Sequence, residues 1–241
     1  MLSKSTIKFI HSLQLKKNRD REKMFIAEGP KLVLELLQEK RFSCNQVFIT
    51  QSGHEELMTT LENSKNLPLE IIEDFELEKI STLKRPNKML AIFNQSSRMA
   101  NPDFSNKITL VLDDIQDPGN LGTLIRIADW YNIKYIICSE HTADVYNSKV
   151  VQSSMASIGR VEVIYENLQN WLPKMKLPKL AASLDGASLN DFPAFKEGFL
   201  VIGNEGNGLS DEVMALCDKR IFIPRLGKAE SLNAAVATGI I

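Results

Sequence analysis

From Ile108 onward, short unbroken apolar runs alternate with helical patterns, and this alternation constrains the fold more than any other feature of the chain. The runs lie at residues 108–112, 135–138, 161–164, 180–184, 199–202 and 221–223. Helical patterns occupy 120–131, 144–158, 168–175, 210–217 and 231–241. Strands that are apolar on both faces must be covered on both faces, so the pattern predicts an α/β fold with a mostly parallel sheet between helices. Ligands in such sheets bind at the carboxyl ends of the strands. The loops at 113–122, 183–186, 203–208 and 224–231 belong there.

The preceding segment reads as a second, smaller α/β unit. Helices are expected at 3–15, 31–40, 54–64 and 75–83, and strands at 24–27, 46–50, 69–72 and 89–93. Pro30 suits the first position of its helix. A polar stretch around the proline of NQSSRMANPDFSN reads as a linker, which gives domains at 1–95 and 107–241 joined by 96–106. No run approaches the length of a membrane span, and the N-terminus lacks the apolar core of a signal peptide. Cys44, Cys138 and Cys217 are scattered, with no CxxC and no histidine cluster. They read as buried small hydrophobes of a reducing cytoplasm, and no metal site is expected.

The net charge of −1 carries no global polycation signature, but its distribution is uneven. Lys4, Lys8, Lys16, Lys17, Arg19, Arg21 and Lys23 face only Asp20 and Glu22 in the first 23 residues. Such a cluster docks phosphates or is a solvated helix face, and charge alone leaves the two readings level. Lys84, Arg85 and Lys88 form a second basic cluster.

Three stretches carry candidate chemistry. In FLVIGNEGNGLSDEV, Gly203, Gly206 and Gly208 are expected to turn the backbone at positive φ, and Ser210 to cap the next helix. A strand running into a glycine loop and a helix holds nucleotide-like cofactors. In the helix at 120–131, Arg126 either pairs with Asp129 or clamps a phosphate or carboxylate. Asn120 either caps that helix or points into the site, and Glu205 is either a solvated acid or a bidentate partner that orients Arg126. In IPRLGKAESLNAAVATGII, Ser231 reads as a cap with Asn233 one turn in. Ala234, Ala235, Ala237 and Gly239 leave a helix face almost without side chains.

Taken together, DPGNLGTLIRIADWYNI, LVIGNEGNGLSDEV and IPRLGKAESLNAAVATG resemble, in order and spacing, the three motifs of the SpoU (TrmH-type) RNA ribose 2′-O-methyltransferases of the SPOUT superfamily. KKNRDREKMFIAEG and PKLVLELL are similar to that family's L30e-like substrate-binding domain. The resemblance implies a six-stranded sheet whose C-terminal segment forms a deep trefoil knot. It implies S-adenosylmethionine as cofactor and a homodimer packed through the catalytic domains. The cofactor loops would then contribute Ser183, Leu184, Gly186, Ile202, Gly203, Asn204, Gly206, Ile223, Leu226, Leu232 and Asn233. The catalytic set would be Asn120, Arg126, Glu205, Ser231 and Asn233. An L30e-like extension favours rRNA over tRNA as substrate, with phosphate contacts from Lys16, Lys17, Arg19 and Lys88. The family commonly runs somewhat beyond the position of Ile241, so a short last helix is expected.

Other classes fit less well. A nicotinamide oxidoreductase would place GNEGNG after its first strand, with further strand–helix units behind it. A P-loop needs GK[ST] after the glycines, and none follows. A non-catalytic RNA-binding or assembly protein remains the alternative from a different class, with the full Asn, Arg, Glu, Ser, Asn set against it.

Overall fold

The computed structural model describes residues 1–62, 67–97 and 102–241. They form two compact units, the first holding residues 1–97 with 146–159, the second the rest. The end of the helix expected at 54–64 and part of the expected linker, residues 98–101, lie outside the described residues.

The first unit runs α1 (Lys4–Ser12), α2 (Lys16–Glu22), β1 (Met24–Glu28), α3 (Pro30–Glu39), β2 (Cys44–Thr50), α4 (Gln51–Glu62), β3 (Leu69–Ile72), α5 (Asp74–Ile80) and β4 (Met89–Asn94). Its sheet has the order β1-β4-β2-β3, with β4 antiparallel to both neighbours and β2 parallel to β3. The helix expected at 3–15 ends at Ser12, and a separate helix α2 follows. Ser3 caps α1 by accepting from Thr6 N at 3.0 Å. Ile10 and Leu13 then bury themselves against Ile26, Phe48, Leu77 and Ile92.

The second unit runs β5 (Ile108–Leu112), α6 (Pro118–Trp130), β6 (Tyr135–Cys138), β7 (Glu162–Tyr165), α8 (Leu168–Trp171), β8 (Lys179–Ser188), β9 (Gly198–Ile202), α9 (Asp211–Met214), β10 (Lys219–Phe222) and α10 (Ala234–Ile240); we name the helix Ser148–Ser154, which belongs to the first unit, α7. All five strand pairs are parallel, in the order β10-β8-β9-β5-β6-β7. The expected mostly parallel sheet is therefore parallel in every strand pair among the described residues. Phe199, Val201, Val111 and Ile137 fill the core on one face, and Phe104 and Trp171 pack edge-on against Phe199.

The segment at 144–158 also departs from its pattern. The helix expected at 144–158 is only α7, because Met155 (φ 48°) and Ala156 (φ 71°) break it. Its surroundings are those of the first unit. Tyr146 packs on Phe25 at 5.0 Å between ring centroids, and a Cβ on Gly159 would meet Glu39 Cγ at 3.1 Å.

Candidate functional site

β9 and β5 are neighbours at the centre of the sheet, and the chain departs in opposite directions from them. Their carboxyl ends are thus the switch point at which an open α/β sheet offers a crevice. The glycine loop follows β9, and the start of α6 follows β5.

The loop closes on itself. Asn204 N donates to Gly208 O at 2.9 Å and Gly208 N to Asn204 O at 2.8 Å. Asn204 Oδ1 accepts from Gly206 N at 2.8 Å, and its Nδ2 donates to Asp114 O at 2.8 Å. The three glycines differ in role. Only Gly208 has positive φ, at 70°. Gly203 is needed for space, since a Cβ there would lie 2.2 Å from Gly208 C. Gly206 is needed for neither, since its Cβ would meet only Asn204 Oδ1 at 3.4 Å. Ser210 does not cap α9 with its side chain as expected. Its Oγ and N donate instead to Asp113 Oδ2, at 2.7 and 3.0 Å. Asp113, buried at the end of β5, thereby ties the loop to the segment leading into α6. Asp113 belongs to no candidate motif of the sequence; its only signal there is an acid directly after a buried strand.

Asn120 is not the cap of α6. Asp117 takes that place, accepting from Asn120 N at 2.9 Å. The Asn120 side chain is free to reach across, and its Nδ2 donates to Glu205 Oε1. Its Oδ1 accepts from Asn233 Nδ2 at 2.9 Å. Asn233 Oδ1 in turn accepts from Ala235 N at 3.0 Å and Val236 N at 3.3 Å, so Asn233 caps α10. The order of donors is fixed by chemistry. An ionised carboxylate only accepts and backbone amides only donate, so both intervening amides have one satisfactory orientation. A directed hydrogen-bond chain runs from the start of α10 to Glu205.

Two expectations change with it. Ser231 does not cap the last helix; it is exposed, and the helix begins three residues later. Glu205 meets Asn120 and not Arg126. Asp129 likewise bonds Arg160 (Nε to Oδ2, 2.9 Å) and not Arg126. Arg126 is exposed and has no hydrogen bond or ion pair among the described residues. The bare face of α10 packs on α6. Ala234 and Ala235 are buried, Gly239 has room for a Cβ 3.7 Å from Ile127 Cδ1, and Tyr131 Oη donates to Gly239 O at 3.3 Å.

β10, β8 and β9 are adjacent and parallel, so their carboxyl ends lie side by side. In β8 the pairing jumps from Ala181↔Arg220 to Ala187↔Ile221, which leaves residues 182–186 as a bulge. Gly186 closes it at φ 119°, and a Cβ there would lie 2.5 Å from Arg220 O. Asp185 bonds Ser183 Oγ and Arg220 Nη1, the latter at 2.8 Å, and these donors, the serine first, hold its carboxyl below the usual range. Leu184 is 80% exposed, Leu226 102% and Leu232 45%. Three bare leucines on or beside loops that also hold an acid and many backbone amides fit an adenosyl group carrying a positive sulfonium centre. A cavity of about 350 Å³ opens on the other flank of the glycine loop, lined by Asp113, Ser139, His141, Glu166 and Asn204 among others.

The expected RNA contacts divide. Lys16 and Lys17 are exposed. Arg19 is not available, because it is 3% exposed and its Nη1 donates to Leu13 O and Gln14 O at 2.9 and 2.7 Å. It closes the carbonyl end of α1. Lys88 is half-buried and paired with Glu56. Among the described residues no helix is long and apolar enough to cross a membrane, and no group of three or more metal-ligating side chains is assembled.

The family model for the SpoU rRNA Methylase family matches residues 107–241, and that for the MRM3-like substrate binding domain matches residues 4–91. The chain is 27% identical over 234 residues to the 23S rRNA (guanosine(2553)-2′-O)-methyltransferase RlmP of Bacillus subtilis (strain 168), covering 95% of this chain and 91% of that one. It superposes with a TM-score of 0.83 and 38% identity on a putative TrmH-family RNA methyltransferase from Porphyromonas gingivalis, over 100% of this chain and 96% of that one. An AdoMet-bound rRNA methyltransferase from Sinorhizobium meliloti gives a TM-score of 0.83 at 29% identity, over 100% and 93% of the two chains.

Proposed function

The chain belongs to the SpoU rRNA methylase family, and from that premise we propose that it methylates a ribose 2′-hydroxyl of RNA with S-adenosylmethionine. The carrying observation is the directed chain from α10 through Asn233 and Asn120 to Glu205, built from all three motifs, with Glu205 in the loop after β9 and Asn233 in the segment after β10. Residues 107–241 act as the catalytic domain, with the family's knot, and residues 1–95 bind the RNA.

S-adenosylmethionine, when bound, supplies an electrophilic methyl group. The protein's own contributions follow from its chemistry. The 182–186 bulge, the glycine loop and the segment at 223–233 hold the cofactor, with Ser183, Leu184, Gly186, Ile202, Gly203, Asn204, Gly206, Ile223, Leu226 and Leu232 around it. Arg126 grips the target phosphate and stabilises the oxyanion that develops as the hydroxyl attacks. It is not the base, because a guanidinium does not deprotonate in a protein. Its exposure, without a partner among the described residues, suits a group that waits for its ligand. Asn120, with Ser231, positions the ribose, and Asn233 fixes Asn120. Glu205 is held by Asn120 in the glycine loop, where its charge would complement a positive sulfonium.

The substrate is rRNA, a reading supported by the names of the matching relatives and by the N-terminal unit. The working form is a cytoplasmic homodimer joined through the second unit. Trp130 (85% exposed), Tyr131, Val236 and Ile240 lie on α6 or α10 or at their ends and form the apolar surface such an interface needs. Calorimetric titration with S-adenosylmethionine, with NADPH as control, tests the reading. Saturation by the first alone, followed by labelled methyl transfer to rRNA and not tRNA, is the expected result. Binding of NADPH, or of neither, overturns it.

A further inference from the structure

We propose that residues 84–87 of the first unit form a rigid phosphate-gripping tip for the RNA, held in place by the buried carboxylate of Glu28; this rests on the RNA methyltransferase reading above. Glu28 ends β1 and is 4% exposed. A carboxylate so deeply buried is costly unless fully hydrogen-bonded. It accepts from Ser81 Oγ, from Thr82 N at 3.0 Å and from Thr82 Oγ1. Ser81 Oγ also accepts from Leu83 N at 3.0 Å. None of these bonds serves the apolar core. All of them fix the place where the chain leaves α5.

The ends of β1 and β2 hold the other side of the loop. Gly29 N donates to Met89 O at 2.8 Å, and Thr50 N to Lys88 O at 2.8 Å. Lys88 is further tied to Glu56. Between these anchors stand only Lys84, Arg85, Pro86 and Asn87, with the φ of Pro86 locked by its ring. Lys84 and Arg85 are exposed and have no hydrogen bond or ion pair among the described residues. Lys31, also exposed, stands two residues beyond Gly29 in the first turn of α3. Neighbouring unpaired cations on a loop that is already ordered lose little entropy on gripping a phosphate backbone. Lys88, by contrast, has its charge spent on Glu56.

The test uses the full chain and a 30-nucleotide mixed-sequence single-stranded RNA, with affinity measured across a salt series. Each phosphate contact on a single strand contributes about 0.7 to the slope of log K against log salt. Lys84→Ala/Arg85→Ala is expected to weaken RNA binding about tenfold near 0.1 M salt and to lower that slope by about 1.4. Lys174→Ala/Lys176→Ala, two exposed lysines of the second unit, is expected to leave both near wild type. Thr82→Val, which loosens the tether and keeps both charges, is expected to weaken binding several-fold with an unchanged slope. Wild-type affinity and slope in the Lys84/Arg85 variant, or equal losses in the Lys174/Lys176 control, overturn the proposal. S-adenosylmethionine binding by the same proteins is read separately, so a failure of the methyltransferase reading shows there and not in the RNA titration.

Discussion

Asn233 Nδ2 donates to Asn120 Oδ1 at 2.9 Å, joining side chains 113 positions apart. The contact makes the N-terminus of the last helix part of the site, because the other end of the same amide caps that helix. Asn233→Asp separates the two roles. A carboxylate still caps and favours the helix dipole, but it cannot donate to Asn120. Asn120 cannot rescue the pair by flipping, since its oxygen would then face Glu205. Asn233→Asp is expected to keep its thermal midpoint and lose methyl transfer. Asn233→Ala is expected to lose both, with about 1 kcal/mol of stability gone with the cap. Calorimetry and a transfer assay on both proteins check this, and full activity in the aspartate variant would show that the polarity of the chain does not matter.

Gly203 and Gly206 sit in one loop and are expected to respond differently to alanine. A Cβ at 203 runs into Gly208 C, Leu209 N and Gly208 O at 2.2 to 2.4 Å, all of it backbone. Relief requires the Asn204 to Gly208 closure to open, so Gly203→Ala is expected to cost at least the ~1–3 kcal/mol of overpacking and to abolish cofactor binding. At 206 the new methyl meets a single side-chain oxygen at 3.4 Å. Gly206→Ala is expected to fall within about 0.5 kcal/mol of wild type. Urea unfolding of the two variants decides it.

Arg126 has no partner to lose among the described residues, so its removal is a clean functional test. Arg126→Ala is expected to change stability by less than about 0.5 kcal/mol, to keep affinity for S-adenosylmethionine, and to lose transfer. Arg126→Lys keeps a charge without the planar fork and is expected to recover only a small part of the rate. Equal loss of cofactor affinity and transfer in the alanine variant would sink the assignment.

Strands in the second unit were legible because a strand buried on both faces must be apolar throughout, and residues 108–112 and 135–138 were bounded as the structure has them. Helix ends were less legible, because caps are decided by what a side chain finds in space. Ser210 had a cap's spacing but found Asp113, and Ser231 had one too while Asn233 took the role. Arg19 looked like its basic neighbours in sequence, yet the end of α1 supplied two carbonyls that draw it inward. The expected Glu205 to Arg126 contact rested on both sitting at strand ends. The turn of α6 that carries Asn120 comes nearer to the loop, and the carboxylate is taken there.

Glu76 sets the acid limit of the first unit. It is 3% exposed, and the Leu2 amide holds its carboxyl below the usual glutamate range; burial opposes this, and the Glu73 amide, at 3.2 Å, adds to it. A carboxyl whose folded value is depressed contributes stability above its unfolded value, near pH 4.3, and loses it as pH falls through the folded value. Unfolding midpoints in urea are therefore expected to hold between pH 7 and 5 and to fall below about pH 4. Glu76→Gln cannot present two accepting oxygens to the Leu2 and Glu73 amides. It is expected to lower the midpoint at pH 7 and to flatten the decline below pH 4. The N-terminal residues are the part expected to come loose, so hydrogen exchange at Leu2 and along α1 should rise in the variant at neutral pH and in the wild type only in acid. An acid decline of equal steepness in both proteins would place the responsible carboxylate elsewhere.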